Sequence, residues 1–479
     1  MNKSMVRFLL SKLLLIEAAL LLVPLIVAFI YQESFTIIFS ILATMAILIL
    51  LGSIGIIFKP KNYHIYTKEG LLIVALCWVL WSFFGALPFI FTGQIPNIID
   101  AFFEVSSGFT TTGATILPDV SVLSHSLLFW RSFTHLIGGM GVLVFALAIM
   151  ENSKNSHLEV MRAEVPGPVF GKVVSKLKNT AQILYIIYLI MFAVFAIILW
   201  GVGMPLYDSL VTAMGTAGTG GFTVFNDGIA HYHSSLITNL VSIGMLLFGV
   251  NFNLYYLLLI RKFKTFFGDE ELRTYIGIAL LATLLIWLNV GGQFATAKEG
   301  LEISFFQVST TMTTTGFGIT NLTTWPLFSQ FILLLLMFLG GSAGSTAGGF
   351  KVMRVLILSK IAKNQVLSSL YPNRVISLHI NQQSLDKRTQ HSVLKYLAIY
   401  LLIFISLVLI LTLDNNNLMI VTSAAASAFN NIGPILGTDK TFAIFSPFSK
   451  LVLSFAMIAG RLEIYPMLLL FIPKTWSKT

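Results

Sequence analysis

Four short polar segments interrupt an otherwise oily chain, and each ends in glycine: Thr110-Thr111-Thr112-Gly113, Gly218-Thr219-Gly220-Gly221, Thr313-Thr314-Thr315-Gly316 and Asn430-Asn431-Ile432-Gly433. The final glycines recur after 108, 95 and 117 residues. Hydroxyl, amide and main-chain carbonyl oxygens converging on one axis would coordinate a cation stripped of its water. Glycine supplies the backbone torsions that let carbonyls point there. Non-helical backbone at membrane depth is tolerated only where protein buries it or where it lines a watery cavity, so four such segments suggest one pore built fourfold.

The surroundings are those of a membrane protein. Of 479 residues, 56% are hydrophobic and 10% charged, against roughly 25% charged in soluble domains. A hydrocarbon core about 30 Å thick needs about 20 apolar residues per spanning helix. Ten stretches qualify, near residues 8–30, 36–58, 70–92, 125–149, 181–203, 236–259, 275–292, 327–360, 392–413 and 446–472. The first lacks a small-residue cleavage site and reads as a retained helix. The one cysteine, Cys77, lies inside a span and allows no intrachain disulfide.

The net charge of +10 is explained by topology and not by nucleic acid. With the N-terminus cytoplasmic, Lys298, Lys440 and Lys450 fall outside and Arg131 and Arg461 within helices, which leaves the other 25 of the 30 Lys and Arg at the inner face. This is the positive-inside pattern, and it places both termini in the cytoplasm with the glycine segments approaching from outside. Outer acids such as Asp100, Glu104, Asp119, Asp208, Asp227, Glu299 and Asp414 would concentrate cations at a pore mouth.

Each glycine segment lies between two spanning stretches. Asp100 and Asp208 both stand 13 residues before a segment's last glycine, a register that selects Gly221, not Gly220, as the equivalent of Gly113. Aspartate is a favoured N-cap, so the two are expected to start half-helices. From Asp100 to Thr110 a helix rises only about 15 Å, enough to enter the bilayer but not to cross it. The carbonyl ends of four such helices, aimed inward, favour a cation at the centre.

From Leu327 to Lys360 the apolar pattern runs too long for one straight span, and Gly340-Gly341-Ser342-Ala343-Gly344-Ser345-Thr346-Ala347-Gly348-Gly349 makes a continuous helix costly. An intramembrane loop is expected there, beneath the third segment, acting as a movable barrier; close packing of helices through small residues is the rival. A phosphate-binding loop is excluded because Gly349 is followed by Phe350 and Lys351, not by Lys and Ser or Thr. Arg461, near the middle of the last span, is expected to face the cavity. It would there repel cations or bind the loop's carbonyls; a structural ion pair with Glu463 or another buried acid is the alternative. Arg131 and His135 share a helix face and read as structural.

These residues resemble the Trk/Ktr/HKT superfamily of potassium transporters, whose chains carry four channel-like units with one filter glycine each. Further matches are Phe129-Trp130-Arg131-Ser132-Phe133-Thr134-His135, Gly138-Gly139-Met140-Gly141, Gly344-Ser345-Thr346-Ala347-Gly348-Gly349 and Gly460-Arg461-Leu462-Glu463. The leading hairpin, which has no pore segment, favours the TrkH/TrkG branch. Two departures are Ile435 after Pro434, where a second glycine is expected, and Ser342, where a larger residue is common. The resemblance implies a filter of Thr110, Thr111, Thr112, Gly113, Thr219, Gly220, Gly221, Thr314, Thr315, Gly316, Asn431, Ile432 and Gly433 that holds potassium ions, with no other cofactor in the chain. Gly113 implies potassium preference, since some sodium-preferring plant relatives have serine there. It also implies a gating loop at 340–349, a homodimer, and a cytosolic nucleotide-binding RCK (TrkA-like) subunit docked on the inner basic segments 150–180 and 361–391.

The expected architecture is an all-α integral membrane protein with ten spanning helices and four pore half-helices. An N-terminal hairpin (1–60) is followed by four pseudo-fourfold helix-pore loop-helix units at 61–160, 161–265, 266–390 and 391–479. The expected function is channel-like potassium uptake across the cytoplasmic membrane; the alternative is a symporter coupling potassium to protons or sodium. Inverted-repeat transporters predict two broken helices and not four half-helices. An enzyme is not expected: His231 and His233 lie in an outer loop, and no acid-base or ligand cluster shares one depth.

Overall fold

A computed structural model of the chain describes residues 2–63, 65–141, 177–371 and 377–476. The segment 150–180, expected on the inner side, lies largely outside the described residues. Among them, helices carry almost everything, and the one β element is a two-residue ladder pairing His379–Ile380 with Gln383–Ser384. Among the described residues six helices are long and apolar enough to cross a membrane: Lys3–Ile30, Phe35–Ile57, Lys68–Phe91, Gln182–Gly201, Glu270–Gln293 and Lys387–Leu411. A seventh is added if the bent pair Ser235–Phe248 and Phe252–Leu259 counts as one span. Their exposed faces carry residues such as Leu284, Leu288, Leu402, Ile405 and Leu409. Such faces belong against lipid, where apolar surface has no reason to hide.

The N-terminal hairpin is zipped by small residues. A Cβ at Gly55 would lie 1.7 Å from Ser11 Oγ, and one at Gly52 2.7 Å from Leu15. Lys3–Leu20 and Phe35–Ile57 therefore approach as closely as only glycine allows.

Four short helices do not span: Ile98–Phe109, Leu206–Gly218, Ala297–Met312 and Leu418–Phe429. Their 12 to 16 residues rise about 18 to 24 Å, short of the bilayer core. The starts correct one expectation. Asn97, not Asp100, caps the first helix, its side chain accepting from the amides of Ile99 and Asp100, and Pro205 precedes the second. Asp100 and Asp208 sit inside the first turn, where a carboxylate still complements the helix dipole. Thr296 and Asn417 cap the other two.

The helix after the second, third and fourth half-helices is interrupted. The sequence led us to expect one break, at 340–349, and it is present: Leu327–Leu339 ends, and Val352–Leu370 begins 13 residues on. Two more appear. Ser235–Phe248 and Phe252–Leu259 meet at 91°, with Asn251 capping the second piece. Pro447–Arg461 gives way to Tyr465–Phe471 through Glu463 and Ile464, both with positive φ (58° and 70°). In the first repeat His125–Gly139 ends at a comparable point, and residues 142–176 lie outside the described residues.

Candidate functional site

Each half-helix ends in the same way. Its C-terminal cap is closed by an amide reaching five residues back: Thr112 to Ser107 O at 2.9 Å, Gly220 to Gly215 O at 2.8 Å, Thr315 to Thr310 O at 2.9 Å and Ile432 to Ser427 O at 2.9 Å. This Schellman closure requires the residue before the donor to be left-handed. Those residues are Thr111, Thr219, Thr314 and Asn431, with φ between 55° and 58°. Asparagine tolerates that region, but threonine, branched at Cβ, does not adopt it without strain. Three equivalent positions therefore hold the same strained torsion.

Two residues further on, φ is again positive, at Gly113 (73°), Gly221 (74°), Gly316 (84°) and Gly433 (108°). Gly220 does not share this torsion, so the backbone makes Gly221 the equivalent of the other three. The four glycines interlock in a cycle. A Cβ at Gly113 would lie 2.0 Å from Gly220 O, at Gly221 2.1 Å from Thr315 O, at Gly316 1.9 Å from Ile432 O, and at Gly433 2.7 Å from Thr112 O. No side chain fits at these places without moving the carbonyl of the next loop. The segments thus form a closed ring of main-chain oxygens, one quarter from each repeat.

The side chains support the ring from behind. Thr110 and Thr112 share a hydroxyl contact at 2.8 Å, and Thr313 and Thr315 one at 2.7 Å. Asn431 Nδ2 donates to Thr112 Oγ1 at 2.9 Å, closing the fourth quarter on the first, and to Met457 O at 2.9 Å. On one side the ring opens into a vestibule of about 660 Å³, lined by all four ring glycines and by Arg131, Asn226, Asp227, Asp439 and Lys440.

At the helix-end side stands the loop between Leu339 and Val352. Gly348 N–H donates to Thr314 Oγ1 at 2.6 Å, and a Cβ at Gly348 would lie 2.3 Å from Asn430 O. The loop therefore touches the third and fourth quarters directly. It is stitched to the neighbouring break by Ser342 N–H to Gly249 O and by Phe252 N–H to Gly344 O, both at 3.0 Å. Gly340, Gly344 and Gly349 have positive φ. Gly341 packs on Ala347, which accepts from Lys351 Nζ, and Ser345 Oγ donates to Ser342 O at 2.7 Å. Arg461 holds the loop from the opposite wall, donating to Thr346 O at 2.6 Å and to Gly138 O and Gly139 O at 2.7 and 2.6 Å. Glu463, the alternative partner, pairs with Arg354 instead.

One residue that sequence reasoning passed over, Glu271, and one that it placed at the pore mouth, Glu104, matter here. Glu271 Oε1 accepts from the amides of Ala343 (2.7 Å) and Met353 (3.1 Å), clasping both ends of the loop. Glu104, one of the outer acids by sequence, is fully buried and pairs with Arg131 at 2.6 Å. A carboxylate within an otherwise uncharged stretch of half-helix was its one signal. His135 meets Gly108 O at 2.8 Å and accepts from Phe222 N–H at 3.4 Å, consistent with a structural role. His231 stacks on Phe225 at 3.6 Å. Among the described residues no three His, Cys, Asp or Glu side chains cluster as a metal site.

Comparison with known proteins places this arrangement in a lineage. The family described as "TrkH: Cation transport protein" matches residues 37–478. The chain is 34% identical over 478 residues to the Trk system potassium uptake protein TrkH of Salmonella typhimurium, covering 97% of this chain and 98% of the relative. It is 31% identical over 463 residues to the Trk system potassium uptake protein TrkG of Escherichia coli K12, covering 95% of each. The crystal structure of the potassium transporter TrkH from Vibrio parahaemolyticus superposes with a TM-score of 0.90 at 28% identity, over 100% of both chains. Fold, repeated caps and relatives agree: the chain belongs to the TrkH family of cation transport proteins.

Proposed function

We propose that this chain takes up potassium across the cytoplasmic membrane, selecting the ion at the ring of four loops and gating it at the loop 340–349. The carrying observation is the cyclic interlock of Gly113, Gly221, Gly316 and Gly433, which brings main-chain oxygens of four repeats onto one another. The relatives named as potassium uptake proteins support the choice of ion. No residue of the four segments titrates, which favours passive flow over coupling to protons.

The remaining architecture rests on the charge pattern and the family. Ten spans comprise the hairpin 1–60 and four units at 61–160, 161–265, 266–390 and 391–479, with both termini in the cytoplasm. Arg461 belongs to the gate, since it binds the loop's carbonyl at Thr346. The chain works as a homodimer on an RCK-type nucleotide-binding subunit, which docks on the inner basic segments.

Purified protein in liposomes with an imposed potassium gradient tests the reading, together with Gly113→Ser. Wild type should pass potassium in preference to sodium, and the variant should lose that preference. No cation flux, with or without an RCK partner, would sink the proposal.

A further inference from the structure

The ring is fourfold in backbone but not in chemistry. Nine residues before the ring glycines stand Glu104, Thr212, Gln307 and Ala424. Only the first can carry charge. Glu104 is 0% exposed and Arg131 3% exposed, and the guanidinium grips Oε1 through both Nε (2.9 Å) and Nη2 (2.6 Å). On its other side the carboxylate reaches the strand leaving the first loop. Thr115 Oγ1 donates to it at 2.9 Å and Ile116 N–H at 3.0 Å.

Arg131 in turn reaches the second loop. Its guanidinium carbon lies 3.9 Å from the ring centroid of Phe222, the residue directly after Gly221. One ion pair thus holds two adjacent strands, just past their ring glycines, where Gly113 already lies against Gly220 O.

The fourth quarter shows what a simpler solution looks like. The amide three residues after Gly433, that of Leu436, donates to the hydroxyl of Ser423 at 3.0 Å, whereas the matching amide of Ile116 is taken by Glu104. A neutral hydroxyl is sufficient to satisfy such an amide. A buried ion pair is costly to desolvate and is often replaceable without loss of stability, so its presence calls for a role that a hydroxyl cannot perform. What distinguishes it is reach and direction: a planar fork with two fixed bonds on one side and an aromatic face on the other.

We infer that the Glu104–Arg131 pair is a specificity-positioning device, setting the separation of the first and second strands of the ring and thereby the discrimination between cations of different size. This rests on the conduction reading above. The pair does not touch the ion. Arg131 also lines the vestibule, and Glu104 cancels a positive charge that would otherwise oppose cations entering there.

The two effects separate experimentally. Glu104→Gln removes the counter-charge, Arg131→Lys keeps charge but loses the fork, and Thr115→Val keeps the ion pair but removes the hydroxyl that donates to Glu104 and accepts from Arg131 Nη2 at 3.3 Å and Leu117 N–H at 3.0 Å. Each is reconstituted in liposomes, and the potassium-to-sodium permeability ratio is measured alongside total cation flux. We expect the ratio to fall about tenfold in Arg131→Lys and Glu104→Gln, the size of one charge-assisted bond, with flux of both ions also reduced in Glu104→Gln. Thr115→Val should lower the ratio by a similar factor of about ten, since its hydroxyl also donates to the charged carboxylate. This variant carries the test if the other two fail to fold.

A merely structural role would lower yield and flux of both ions together and leave the ratio unchanged. A ratio within twofold of wild type in the folded variants overturns the inference while the conduction reading stands. Wild type that passes no cation overturns both.

Discussion

Arg461 donates an N–H to the carbonyl oxygen of Thr346 at 2.6 Å, tying the last broken helix to the loop under the ring. The same guanidinium holds Gly138 and Gly139 of the first repeat. Loop, first repeat and fourth repeat therefore meet on one cation.

Removing that cation should free the loop. Each hydrogen bond to a charged group contributes about 1.5–3 kcal/mol, and about 1.4 kcal/mol shifts an open-closed equilibrium tenfold. Arg461→Ala is expected to raise basal cation flux tenfold or more in liposomes. A fall in flux would mean that Arg461 builds the pore and does not close it.

Glu271 offers a second handle on the same loop. Its removal leaves the amides of Ala343 and Met353 buried without an acceptor, at about 1–3 kcal/mol each. Glu271→Ala should increase leak and lower the melting temperature, and Glu271→Gln, which keeps an acceptor oxygen, should restore most of both. Equal behaviour of the two variants would argue against the clasp.

Glycine positions should divide sharply by their surroundings. Gly113→Ala puts a methyl group 2.0 Å from Gly220 O at a φ of 73°, a torsion that alone costs about 1–3 kcal/mol. Loss of potassium uptake is expected. Gly277, inside Glu270–Val290, has nothing within 4 Å of a would-be Cβ, so Gly277→Ala should raise stability by about 0.5–1 kcal/mol. Thermal unfolding in detergent and uptake assays distinguish the two.

The pair Lys450–Asp100 bridges the last repeat and the first half-helix at 2.7 Å, with side chains 9% and 25% exposed. Partly open to solvent and single, it is expected to contribute about 0–1 kcal/mol. Asp100→Asn should therefore shift the melting temperature by no more than a few degrees. A large drop would show the pair to be shielded in the bilayer.

One loop carboxylate gives a pH signature. Asp119 is held below the ordinary aspartate range by the side chain of Asn226, which donates to it at 2.7 Å, and then by Ser121. A depressed folded-state value contributes stability that is present above the unfolded value of about 4 and lost as pH falls through the folded value. Asp119→Asn should lower stability at neutral pH and flatten the acid limb below about pH 4, leaving the most acidic end unchanged. An unchanged acid limb would show the contact between these loops to be weak.

Much of this was legible because glycine and spacing leave marks in a sequence. The 13-residue offset that chose Gly221 matches the torsions, and the density of glycine at 340–349 announced a break. The bends at Gly249 and at Glu463 left no such mark. Their residues are ordinary, and the first bend is stitched by distant bonds, from Ser342 and to Gly344. The partner of Arg461 was undecidable for the same reason: the positive torsions at Glu463 and Ile464 carry Glu463 away to Arg354. Asp100 misled because the helix starts one turn earlier, at Asn97, which caps the amides of Ile99 and Asp100 and leaves Asp100 inside the first turn.

The last joint in the ring links Asn431 to Thr112, 319 residues apart, and is reinforced by Phe442 N–H on Thr115 O at 2.9 Å. The ring is thus closed by almost the last part of the polypeptide to be made. A chain still on the ribosome, or cut short before the fourth half-helix, owns three quarters of the ring and no loop to close it, so the ring forms only once nearly the whole polypeptide has been made.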